Sequence, residues 1–362
     1  MSSPSDPPAT VSSPPPSWAR AHLRLLLASG LILVIAAAVT TVLILTRRGP
    51  QPTPVPLGLR PAATIPLPGD SSRFDYASLD AGRGLLFIAH LGASQVIEVD
   101  IHTQHVVRTI TGLPGVHGVL VLPDRHRVYA TATDANQMAI IDEDTGTVLG
   151  RGPTGAYPDG LAYDPQHTTV WTTNESGGSE TILDATTATP RGTVDVGGEA
   201  GNVAYDPTTR QMLVAVQGRN NLAVIDPNTA TITRRVDLPG CDHDHGLTID
   251  NTDRLAFIAC DGNATLLTLD LTTWQILDTH PVGQDPDVLA YDPGAHRLYI
   301  AAESGWLTTL DIHNRHTTVT GSSHLADGAH IVAVDPGTHR SYYPIPHGPD
   351  GHPALLSFDP AS

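Results

Sequence analysis

The chain contains no lysine; all 20 of its Lys+Arg positions are arginine. Schiff-base and lysine general-base chemistry are therefore excluded. Cysteine is nearly absent, and the two that occur, Cys241 and Cys260, match no zinc-finger spacing. Aromatics make up 5% of the residues, with only four Phe, so any core must rest on aliphatic packing. Positive charge is scarce, with 37 Asp and Glu against 20 Arg and a net charge of −17. An acidic chain without a basic stripe is a poor nucleic-acid binder, and no nucleic-acid partner is expected. G-x-S-x-G, Walker-type and dinucleotide fingerprints are all missing. So is sustained helical periodicity, outside one apolar run.

That run extends from Leu25 to Thr46 without a charge, between Arg20 and Arg24 on one side and Arg47 and Arg48 on the other. A bilayer core needs about 20 apolar residues in helix, so 25–46 is expected to be a transmembrane signal anchor. A signal peptide cleaved near Ala38, which would release a secreted protein, is the rival reading. Apolar residues continue past that point through Val42, Leu43, Ile44 and Leu45, which favours the uncleaved anchor. The Ser- and Pro-rich residues 1–24 read as a disordered cytoplasmic tail, and 47–57 as a Pro-rich, semi-extended linker. The arginines tie across the run, so charge leaves the orientation open. A short tail before a large C-terminal domain gives the usual single-pass layout, with that domain extracytoplasmic at the cell membrane.

From residue 58 to 362 the chain repeats itself about every 42 residues. One column reads Asp80, Leu122, Asp164, Asp206, Asp250, Asp292, Asp335, and a second reads Asp100, Asp142, Asp184, Asp226, Asp270, Asp311, Asp359. Apolar strand patterns lie between the columns, as in Leu85–Ile88 and Leu298–Ile300, and on either side of the second. Four short strands per repeat, separated by Asp-Pro, Asn and Gly turns, are the mark of a β-propeller blade. Seven repeats predict an all-β, seven-bladed β-propeller behind one N-terminal transmembrane helix. The seventh repeat ends at Asp359-Pro360 without a fourth strand, and Ala62–Leu67 is expected to supply it. That pairing closes the ring and removes its exposed sheet edges. Aspartate at a strand end accepts hydrogen bonds from backbone N–H groups just ahead, so both Asp columns read as turn formers.

Several segments resemble the YVTN/YncE-like β-propeller family across about residues 60–360. They include Val170-Trp171-Thr172-Thr173-Asn174, Val224-Ile225-Asp226-Pro227-Asn228-Thr229 and the stretch from Val282 to Pro293. Phe74-Asp75-Tyr76, Pro114–Gly118 and Ala329–Asp335 look similar to the same group. The resemblance implies a secreted or surface-attached propeller, commonly labelled a surface or binding protein. It carries over no catalytic residue.

Chemistry is expected where the innermost strands begin, around the axis. The column five residues before the first Asp column reads Asp75, His117, Asp159, Gly201, His245, Asp287, His330. Six acids or imidazoles in seven places exceed what 37 acids and 18 His in 362 residues would scatter there. The six form a candidate ligand-binding ring. His90, His117, His243, His245 and His330 are candidate metal ligands, because imidazole with carboxylate suits a divalent ion. A wet polar channel with loop-tethering side chains is the plainer alternative. The ends of the second strands add His90, Asn174, Glu175, Asp261, Glu303 and His347 to the same rim. Cys241 and Cys260 fall at the rim of one blade. A disulfide suits an extracytoplasmic domain, with free thiols or metal thiolates as alternatives. The overall expectation is a binding or interaction scaffold with a protein or small-molecule ligand on the axial face. The alternative is a metal-dependent enzyme of the lyase or lactone-hydrolase type.

Overall fold

The computed structural model describes residues 51–361. The tail at 1–24 and the apolar run at 25–46 lie outside the described residues. Among the described residues, no helix is long and apolar enough to cross a membrane.

The described chain folds into seven four-stranded antiparallel sheets, each in simple up-and-down order. Blade one contains Ala77–Asp80, Leu85–His90, Gln95–Asp100 and His105–Thr111, from the axis outward. The second strand is buried along its whole length and the fourth alternates between exposed and half-buried positions, with only Ile110 fully buried. Each blade thus packs both faces of its middle strands against its neighbours. Phe87, Ala89 and Val96 of blade one meet Val119, Val128 and Ala130 of blade two in a single cluster. Fully burying each such aliphatic or Phe side chain contributes about 1.5–3 kcal/mol, which explains how a chain poor in aromatics holds together.

Blade seven joins the two ends of the described chain. Its strands are Ala333–Asp335, Arg340–Ile345, Ala354–Pro360 and, outermost, Leu59–Pro66. Thr64 lies opposite Leu356 and Ile65 opposite Leu355. Ile65 and Leu67 then pack with Leu86, Ile88 and Ile97 of blade one and Leu355 of blade seven. The expected closing strand is therefore present, extended by three residues at its start.

Most Asp-column residues form the turns expected of them. Asp164, Asp206, Asp250, Asp292 and Asp335 each accept a backbone N–H from two residues on, at 2.9–3.0 Å. Asp311 and Asp359 instead bind Arg297 and Arg340. Some first-column acids also tie blades together: Arg254 clasps Asp206, Tyr291 donates to Asp250, and His339 meets Asp292 at 2.8 Å.

The linker departs from expectation. Residues 51–57 are not a free spacer but lie on blade six. Val55 and Ser322 exchange backbone hydrogen bonds at 2.6 and 2.9 Å, and Gln284 N–H donates to the Gln51 side chain at 3.2 Å. The outermost strand of blade six, His316–His324, would otherwise offer unpaired groups at an open edge. Proline is tolerated in such an edge segment because few of its N–H groups are needed.

Candidate functional site

The loops that enter the innermost strands surround a cavity of about 570 Å³ on the axis. Asp75, His117, Asp159, His245 and Asp287 all line it. One oxygen of Asp75, one of Asp287 and one nitrogen of His330 lie within 4.8 Å of one another, and all three residues are buried. His245 Nε2 is 3.2 Å from Asp287 Oδ1. His117 Nε2 is 3.8 Å from Asp75 Oδ2 and 3.1 Å from the Tyr157 hydroxyl. Five of the six donors read from the repeat thus line one cavity, and His330 reaches Asp75 and Asp287 from beside it.

Gly201 is the ring position without a donor, and packing explains it. A Cβ there would come within 2.8–2.9 Å of the backbone oxygens of His245 and Asp244. Asn202 N–H donates to His245 O, so the two blades touch through their backbones at this point.

The two best-placed imidazoles differ in what they offer. His117 Nδ1 donates to Gly115 O at 2.7 Å. In the neutral ring this tautomer puts the lone pair on Nε2, which faces Tyr157 and Asp75. His330 has both nitrogens 3.1 Å from a carbonyl oxygen, Nδ1 at Gly328 and Nε2 at Phe74. It coordinates an ion only after turning away from one of them.

His90 does not join the site. Its ring is buried, stacked on Phe74 at 4.2 Å, and lies 3.1 Å from the Ser72 hydroxyl and 3.2 Å from Gln95 Nε2. Phe74 takes the space through which it would reach Asp75. His347 does not line the cavity either, whereas Glu175, Asp261, Glu303 and His243 do. His243 sits at the mouth between Asp261, at 2.7 Å, and Glu199, at 3.5 Å. Asn174 is turned into its own blade, where it donates to Thr181. Cys241 and Cys260 are disulfide-bonded, with Cα atoms 5.4 Å apart. The bond ties the loop carrying His243, which leads into the strand carrying His245, to the second strand of its blade.

No family model matches the chain. A stretch of 102 residues is 30% identical to the uncharacterized protein YncE of Salmonella typhi and to that of Salmonella typhimurium (strain LT2). This stretch is 28% of the chain and spans 29% of each relative's own length. Among solved structures, hydrazine synthase of Kuenenia stuttgartiensis superposes with a TM-score of 0.67, over 76% of this chain and 94% of that one. At 14% identity, that likeness shows the fold alone. The local sequence match and the seven-bladed ring agree. The chain is a seven-bladed β-propeller, similar to YncE over this stretch.

In this propeller the ring acids titrate in opposite directions. Burial pushes the Asp75 carboxyl well above the carboxylate range, and the charges of Asp159 and Asp287 add to the effect against Arg73. Burial raises Asp159 too, opposed by His245 and His117. Burial also disfavours charge on Asp287, but the hydrogen bond from His245, with His330 and Arg73 nearby, outweighs it and holds Asp287 low. Against its own burial, His245 is pushed up to about 10 by Asp287, Asp159 and Asp261. Asp287 and His245 therefore form an ion pair around neutrality, while Asp75 keeps a proton that a cation would replace.

A second ring was missed in the sequence, two residues before the first: Arg73, Gly115, Tyr157, Glu199, His243, Asp285, Gly328. Gly115 and Gly328 are left-handed there, and so are Tyr157, His243 and Asp285, with φ of 60°, 63° and 53°. The same conformation recurs in turns throughout the blades, as at Thr168, Arg210 and Arg254, so it marks a repeated turn and does not single out the site. The run of large polar residues interrupted by Gly in one repeat column is the available signal. Tyr76 was also missed. Its hydroxyl reaches across the axis to Asp159 Oδ2 at 3.1 Å and Asn202 Oδ1 at 2.8 Å. It stands between the acidic cavity and a second one of about 330 Å³ toward the opposite end, walled by Val119, Val203, Leu289 and Val332.

Proposed function

We propose that the chain is a membrane-anchored, extracytoplasmic binding scaffold whose axial cavity takes a divalent cation. The anchor rests on the uncharged run Leu25–Thr46, and the binding role on one observation, the convergence of Asp75, Asp287 and His330. Asp75 and Asp287 supply hard oxygens and His330 or His117 a nitrogen, a donor set suited to Mn, Zn or a similar ion. The disulfide accords with an oxidising compartment outside the cytoplasm. The full-length protein, stripped with chelator and reloaded, should take up close to one equivalent of Mn or Zn by elemental analysis and melt higher. No stoichiometric metal and an unchanged melting temperature with Zn, Cu, Mn and Ca would overturn the reading.

A second reading, a metal-dependent enzyme, is favoured by the divergence of Asp75 and Asp287. Neighbouring acids driven apart in this way can serve as proton donor and charged partner in one reaction. Turnover of a lactone or other ester panel that disappears in Asp75→Asn would select it. Metal uptake without turnover would leave the scaffold.

A further inference from the structure

We infer that Arg73 is a built-in counter-ion of the axial site, occupying the cation's place until a divalent ion displaces it, and so setting the site's preference for double charge. The inference rests on the cation-binding reading above and adds to it a selectivity-determining residue.

Arg73 Nη1 lies 2.5 Å from Glu303 Oε1, and Nη2 lies 3.7 Å from Asp75 Oδ2 and 3.9 Å from Asp287 Oδ2. Two of the three residues best placed to coordinate an ion are thus already facing a positive charge. Among the described residues, Arg73 is the only arginine lining the cavity. The equivalent position in the other blades holds Gly, Tyr, Glu, His, Asp and Gly, so the repeat does not require an arginine there.

A guanidinium does not lose its proton in proteins. Arg73 therefore leaves Asp75 and Asp287 only by moving. Its side chain is 45% exposed, so it has room to do so. Glu303, which is outside the converging trio, is its closest partner and gives it a resting place when the other two contacts are given up. A free monovalent cation offers the two acids no more charge than a tethered guanidinium already present at high effective concentration. A divalent ion doubles the attraction and can win.

The test is calorimetric titration of MnCl2, then ZnCl2, into the full-length protein and into Arg73→Gln, with Arg73→Met in reserve should Gln fail to fold. Exposed ion pairs are individually weak, so removing the competitor should tighten metal binding roughly 10-fold. Arg73→Lys keeps the charge and should bind as the wild type does. Without metal, Arg73→Gln should melt lower than the wild type, and added Mn should close the gap. Metal bound by the wild type with equal or weaker affinity in Arg73→Gln overturns the inference and leaves the binding function standing. Binding by the variant but not by the wild type supports the inference and removes the binding function from the native protein. No binding by either overturns both.

Discussion

Two columns of ionisable residues stand five positions apart on the innermost strands, and they behave in opposite ways. At the strand ends, Asp164, Asp206, Asp250, Asp292 and Asp335 each find a backbone N–H two residues away. Each is anchored in its own turn, with Arg254, Tyr291 and His339 of the next blades adding contacts to Asp206, Asp250 and Asp292. At the strand starts, Asp75, Asp159 and Asp287 face the axis, and what they meet is one another, His245, Arg73 and the Tyr76 hydroxyl. Aspartate does not by itself mean turn or site. The donors within 3–4 Å decide.

Substitutions in the two columns should therefore separate stability from binding. The largest effect is expected from Asp287→Asn, which strands the buried His245 cation and should cost about 4 kcal/mol in chemical denaturation at pH 7. The contribution of Asp287, held low, is present above the ordinary carboxylate value of about 4 and lost as pH falls through its lowered one. That of His245 is complete below about 6.5 and lost as pH rises through about 10. The deficit of the variant should accordingly be widest from weakly acidic to neutral pH and shrink at both extremes. A deficit that does not change with pH would deny the ion pair.

Glu180 sharpens the comparison as an acid with neither a turn nor a ring. The corresponding third-strand positions in the other blades are Val96, Met138, Leu222, Leu266, Leu307 and Leu355, all buried. Glu180 is equally buried, neither of its oxygens has a hydrogen-bond partner, and burial raises it well above the carboxylate range. Glu180→Leu should stabilise the fold by about 2 kcal/mol at pH 7. A carboxyl raised by folding costs nothing through titration below its unfolded value and progressively more as pH rises. The gain should therefore diminish when thermal unfolding is repeated near pH 4.5. In the turn column, Asp335→Ala should cost about 1 kcal/mol and leave metal uptake unchanged. The smallest effect on stability is expected from Asp75→Asn, which replaces an already protonated carboxyl with a neutral amide. It should melt no lower than the wild type at pH 7 and yet take up no stoichiometric metal. A marked loss of stability there would mean that Asp75 is charged in the fold.

Much of this was legible in the repeat. The blade number, the closing strand from Ala62 to Leu67 and the ring column all follow from counting at intervals of about 42. Other features were not. His90 ends its strand where a rim residue should, yet Phe74 stacks over it, and nothing in the spacing announces that contact. Proline richness made residues 51–57 look like a free spacer, but the edge of blade six recruits them. Arg73 stands two residues before the ring column, and nothing in the repeat shows that its side chain reaches Asp75 and Asp287.

What the sequence determined by itself is periodic and local: strand, turn and blade recur because each needs only neighbours within a few residues. What the tertiary structure alone decided is which charges meet. Arg73 and Glu303, or Tyr76 and Asn202, belong to different blades and come together only when the ring closes. Protonation follows from those meetings, because Coulomb interaction and desolvation depend on distance and burial, not on separation along the chain.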